Sequence, residues 1–198
     1  MLRLDTSLGQ YFTVGPVSDH LVGLFDNTSA TDILDLGAGG GALSAAAVRR
    51  WSGVSLTTVD IDHRVAAFLS ETLQAAPNAL HVHHVADALD VDLPEVMRGR
   101  AFELAVCNPP YSKIAWREGF ARILSEAGLE ELHAVPKEAL TSDVLFLAQI
   151  LRLAKPGAEI GVIVRRRLRA GSHHCPRRHG VGQVDYGRRN FAWQVVQV

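Results

Sequence analysis

The 198-residue sequence has only two cysteines, Cys107 and Cys175, too few for a disulfide framework, so both are expected to be reduced. It has no apolar run of about 18 residues or more, which argues against a membrane-spanning helix. Its first residues do not follow the basic, apolar, small-residue order of a secretion signal, and the expected compartment is the cytoplasm. It also has no excess of either charge: 20 Lys and Arg stand against 21 Asp and Glu, a net charge of −1. A global attraction to polyanions is thereby excluded. What is present is ordinary for a globular chain, with 47% apolar and 21% charged residues, enough for a sizeable single core.

The basic residues are unevenly placed. From Arg165 onward come Arg166, Arg167, Arg169, Arg177, Arg178, Arg188 and Arg189 against the single acid Asp185. Periodicity fades there, and only Phe191 to Val198 again reads as a strand. The division expected is an N-terminal motif and helix (residues 1–30), a core (31–164) and a basic C-terminal tail (165–198) expected to be solvated.

Within the core, strands and helices alternate. Apolar spacing predicts a helix from about Pro16 to Phe25 and strands over Thr31–Leu36, Val54–Val59, Leu80–Val85, Ala101–Cys107 and Ala158–Val164. Helices are expected over Ala42–Trp51, Arg64–Leu73, from Tyr111 to about Ala127, and over Ser142–Ala154. This alternation predicts an α/β fold: a Rossmann-like, doubly wound, mostly parallel sheet with helices on both faces. His81, His83 and His84 are expected to line an exposed face of the third strand.

Ligands of such sheets bind beyond the carboxyl ends of the strands. Four strand ends carry chemistry. Asp35-Leu36-Gly37-Ala38-Gly39-Gly40-Gly41 makes a glycine turn after the first strand, where missing side chains admit a ligand to the backbone. No Gly-Lys-Ser/Thr follows, which disfavours phosphate binding. Asp60 ends the second strand, where a carboxylate can accept both ribose hydroxyls; Asp62 is expected to cap the next helix. Asp87 follows the third strand and could meet an adenine amine or serve as a loop carboxylate. Asn108-Pro109-Pro110-Tyr111 follows the fourth, where the prolines stop the strand and hold an amide and an aromatic ring at its end.

This ordered set resembles the S-adenosylmethionine-dependent DNA adenine N6-methyltransferases of restriction-modification systems, including type I modification subunits. The stretch Gly9-Gln10-Tyr11-Phe12-Thr13 strengthens the resemblance, although the proline usual after the threonine is Val14 here. The resemblance covers roughly Gly9 to Val164 and implies S-adenosyl-L-methionine as cofactor, held by Gln10, Tyr11, Phe12, Thr13, Asp35, Gly37, Gly39, Asp60, Asp87 and Asn108. It implies Asn108, Pro109, Pro110 and Tyr111 as catalytic residues and DNA with a flipped adenine as substrate. The same four residues also serve RNA methylation and methylation of a protein glutamine. A separate specificity or target-recognition subunit is an expected partner, because no recognition region is legible; a cofactor-binding module without independent activity is the alternative. His173, His174, Cys175 and His179 lack regular zinc spacing, so no metal is expected.

Overall fold

The structure, a computed structural model, describes residues 13–74, 78–165, 178–186 and 189–197, with only the backbone described from residue 165 onward. Gln10, Tyr11, Phe12 and the His173–Cys175 cluster lie outside the described residues.

Seven strands form one sheet in the order β3-β2-β1-β4-β5-β7-β6. They are β1 (Asp32–Leu36), β2 (Ser55–Asp60), β3 (Leu80–Val85), β4 (Phe102–Cys107), β5 (Ala154–Arg165), β6 (Arg178–Tyr186) and β7 (Arg189–Gln197). The first five run parallel, while β7 pairs antiparallel with both β5 and β6. The central strands are buried on both sides, which is why they read as nearly continuous apolar runs.

Alternation along β1 divides the core. Ile33, with Leu56, Leu104, Val106 and Ile163, faces α1 (Gly15–Gly23) and α2 (Ala42–Arg50). Leu34 and Leu36, with Val59, Ala105, Cys107 and Ile160, face the other layer. That layer contains α5 (Gly119–Glu126), through Phe120, Ile123 and Leu124, and α6 (Ser142–Leu153), through Leu145, Phe146 and Leu153. α3 (Val65–Leu73) closes over the glycine turn by packing Val65 and Leu69 on Ala38, and α4 (Leu93–Val96) is a single turn before β4. Among the described residues no helix is long and apolar enough to cross a membrane.

Several expectations need correction. The segment after Tyr111 is not helical until Gly119, because its apolar residues Ile114 and Trp116 pack individually onto the core from an extended loop. The stretch 129–140, ambiguous in the sequence around Pro136, forms two short 3-10 turns, Glu130–Ala134 and Lys137–Ala139. β5 starts at Ala154 and passes through Pro156-Gly157 where its register against β4 shifts. The face of β3 is reversed: Leu80 is 73% and Val82 44% exposed, while His81 Nε2 and His83 Nδ1 lie 2.8 and 2.9 Å from the Thr58 hydroxyl. A buried threonine on β2 gives the imidazoles a polar partner that the apolar residues could not use. In the C-terminal region, β6 and β7 complete the sheet, where a solvated tail was expected.

Candidate functional site

The strand order reverses between β1 and β4, and this reversal places the glycine turn and Asn108 on either side of one crevice. Gly37, Gly39 and Gly41 have φ of 80°, 50° and 78°, a region that side chains disfavour, so the turn requires glycine at these alternating positions. The turn is also crowded. A Cβ on Gly37 would stand 3.1 Å from the Phe146 ring, and one on Gly41 would stand 2.8 Å from Leu69.

The backbone of the turn is held by the end of β2. Gly37 and Ala38 donate to the Val59 carbonyl at 2.9 and 3.1 Å, and Gly39 donates to Asp60 Oδ2 at 2.9 Å. The other Asp60 oxygen accepts from the Asp62 N–H at 2.9 Å. Asp60 therefore braces the turn, with both of its carboxylate oxygens bonded to backbone N–H groups. Asp62 accepts from the Arg64 N–H at 3.0 Å and pairs with its guanidinium, just before α3.

Asp35 is fully buried beneath the turn. Its Oδ2 accepts a 2.6 Å hydrogen bond from Ser44, and its Oδ1 has no hydrogen-bond partner. Burial pushes its pKa up to about 7; the Ser44 bond opposes the rise and the Asp60 charge adds to it. A buried, half-satisfied carboxylate beside three left-handed glycines suits a ligand carrying a cationic donor.

Asp87 lies beyond β3. Its Oδ1 accepts from the Leu89 N–H at 2.8 Å, and its Oδ2 pairs with Arg117 at 2.7 Å. Its loop is tied to α6 by buried Gln149, which donates to the carbonyls of Ala88 and Asp90 at 2.8 and 2.6 Å.

At the end of β4, Cys107 is buried, and its thiol donates to the Leu36 carbonyl at 3.0 Å. Burial, with the charges of Asp35 and Asp143, raises its pKa well above the ordinary thiol value, so the sulfur is a packing group. Asn108 Nδ2 donates to the Thr13 hydroxyl at 3.0 Å, and the Tyr111 hydroxyl lies 2.9 Å from Asn108 Oδ1 and 2.6 Å from the Ile163 carbonyl. One phenolic proton serves both acceptors, which fixes the Tyr111 ring against the end of β5. The loop is clamped from α6: Ser142 Oγ lies 2.5 Å from the Pro110 carbonyl, and the Ser112 N–H donates to it at 3.1 Å.

The structure thus gathers Thr13, Asp35, Gly37, Gly39, Asp60, Asn108, Pro109, Pro110 and Tyr111 around the switch point, with Asp87 at the neighbouring strand end. Sequence reasoning missed Ser44, Arg117, Ser142 and Gln149. Ser142 was visible only as a polar residue opening a helix, and the Asp87–Arg117 pair joins loops too distant in sequence for local spacing to reveal it. Among the described residues there is no cluster of three or more potential metal ligands.

Residues 13–128 match the model of the methyltransferase small domain. The chain is 27% identical over 184 residues to the type II methyltransferase M.BsuBI of Bacillus subtilis, covering 84% of this chain and 35% of that protein. It is 35% identical over 100 residues to the tRNA1(Val) (adenine(37)-N6)-methyltransferase of Shewanella amazonensis, 48% of this chain and 41% of that one. The chain therefore spans well under half the length of these two relatives. Among solved structures, a modification subunit of a putative type I restriction enzyme from Vibrio vulnificus superposes with a TM-score of 0.72 at 14% identity, over 98% of this chain and 45% of that one.

Proposed function

The chain belongs to the methyltransferase small-domain family, a family of S-adenosylmethionine-dependent enzymes, and from that premise we propose that it methylates the exocyclic N6 amine of adenine in DNA. The observation that carries this reading is the Asn108–Tyr111 loop standing across the switch point from the glycine turn. When bound, S-adenosylmethionine supplies a methyl group activated on a sulfonium sulfur. Asp35 Oδ1 would accept from its amino group, the glycine turn would hold its methionine portion, Asp60 would hold the ribose and Asp87 the adenine.

The remaining chemistry belongs to the chain. An exocyclic amine on an aromatic ring is a weak nucleophile, since its lone pair is delocalised. The Asn108 side-chain carbonyl and the Pro109 backbone carbonyl accept the two amine hydrogens, favouring a pyramidal nitrogen and stabilising the positive charge that develops on it. Thr13 and Tyr111 hold the Asn108 amide from both ends, so this acceptor is positioned before the target arrives. The Tyr111 hydroxyl is used within the protein, which leaves its ring as the stacking surface for a base. A duplex adenine reaches such a site only by flipping.

The 84% coverage in the alignment with the type II methyltransferase supports DNA as the substrate. The tRNA relative, more identical over a shorter stretch, favours RNA adenine as a second reading. Sequence recognition is assigned to a separate specificity or target-recognition subunit. Incubation with labelled S-adenosylmethionine and, separately, DNA, RNA and a release-factor protein tests the choice. Label in N6-methyladenine of DNA is expected, and label confined to protein glutamine would overturn it.

A further inference from the structure

A cavity lies between Trp116 of the loop that follows Tyr111, helix α5 and the two 3-10 turns after it. Trp116, Ala121, Leu132, His133, Val135 and Lys137 line a volume of about 150 Å³, comparable to apolar cavities that take up one aromatic ring. Trp116 lies five residues beyond Tyr111, so even a fully extended chain puts their Cα atoms no more than about 18 Å apart. Its ring meets Phe120 edge to face at 5.6 Å, and the Lys137 ammonium lies 5.1 Å from its centroid. Arg117 packs over Phe120 at 4.8 Å and pairs with Asp87, so the cavity wall is fastened to the third strand end.

We propose that this cavity binds a nucleobase flanking the target adenine on the same strand. The inference rests on the nucleic-acid reading of the Asn108–Tyr111 loop. Trp116, Leu132 and Val135 give an aromatic and aliphatic lining that accepts the face of any base. His133 adds direction: its Nε2 donates to the Ala121 carbonyl at 3.1 Å, which leaves Nδ1 for the edge of a base. The charge of the lining is cationic. Lys137, the one ammonium in the lining, has no carboxylate ion-pair partner among the described residues, whereas Arg117 and Arg122 are both paired. Glu130, Glu131 and Glu138 neighbour the cavity in sequence but do not line it. An apolar slot with one ammonium group on its wall complements a base and its phosphate.

A short oligothymidylate carrying one central adenine, and the oligouridylate equivalent, are the probes. An abasic residue is moved through the flanking positions, and affinity is read by fluorescence anisotropy. The unsubstituted 198-residue chain is expected to lose about 5- to 100-fold in affinity at one flanking position. Trp116→Ala should abolish that position-specific loss, and Lys137→Gln should weaken binding of the intact strand while leaving S-adenosylmethionine affinity unchanged. Lys137→Gln covers the case in which Trp116→Ala fails to fold, since Lys137 is exposed. A scan with no penalised flanking position while adenine methylation persists overturns the cavity alone, as does a penalty that survives both substitutions. Absence of binding to either strand, with label in protein glutamine, overturns the nucleic-acid reading itself. The deoxy and ribo arms separate DNA from RNA.

Discussion

Asp35 is buried beneath the glycine turn with one oxygen bonded to Ser44 and the other unpaired. Its folded pKa of about 7 lies above the unfolded value of 3.8, so the folded state binds the proton more tightly. The resulting stability is fully present below the unfolded pKa and is lost as pH rises through about 7, a swing of roughly 4 kcal/mol. Asp35→Asn is expected to flatten this dependence between about pH 4 and 7 in urea titrations; an unchanged slope would assign it to other groups. The same variant should weaken S-adenosylmethionine binding at pH 8 by about 10-fold or more, measured by calorimetry, because a charged acceptor is lost. Asn108→Ala should separate the roles differently, lowering kcat by about 100- to 1,000-fold while cofactor affinity changes only a few-fold. Equal losses in both would remove Asn108 from the target amine. Both residues were legible in the sequence because each stands at the carboxyl end of a short apolar strand, Asp35 just before the glycines that stop β1 and Asn108 just before the prolines that follow β4. The missing Asp35 partner was not legible, since it depends on what the fold leaves beside the carboxylate.

At the scale of elements, α6 is more than a packing helix. Its first residue, Ser142, closes hydrogen bonds with both the Pro110 carbonyl and the Ser112 N–H, while Gln149 two turns later holds the Asp87 loop. One rigid element thus positions the target loop and the acid at the neighbouring strand end. Ser142→Ala should cost about 1–3 kcal/mol in stability by chemical denaturation and lower kcat/KM, with cofactor affinity kept. A variant with wild-type kcat/KM would show that the prolines alone hold the loop. Helix α6 was read almost to the residue from its apolar spacing, as was β3 from its alternation. The side of β3 was misread because alternation reports two faces without saying which is buried, and Thr58 on β2 decided it. The loop after Tyr111 was misread as helix because its apolar residues anchor to the core one at a time.

For the whole molecule, the sheet beyond β5 links the C-terminal region to the site. The Tyr111 hydroxyl reaches the carbonyl of Ile163, and Ile163 is paired on its other side with Trp193 of β7. The strand that receives the target loop is therefore an interior strand only because β7 covers it. The arginine and glycine content of residues 165–190 hid β6, since its pairing is dictated by β7 and not by an apolar pattern of its own. Shortening the chain after Arg165 would leave β5 as an edge. The glycine turn, Asp35, Asp60 and Asp87 sit at the ends of β1 to β3, away from that edge, so S-adenosylmethionine affinity by calorimetry should stay within a few-fold. Methyl transfer should fall at least tenfold as Ile163 loses its partner and Tyr111 its fixed acceptor, with a Tm several degrees lower. A shortened chain that binds cofactor and transfers methyl groups at the full-length rate would show that the target loop is held by α6 without help from the completed sheet.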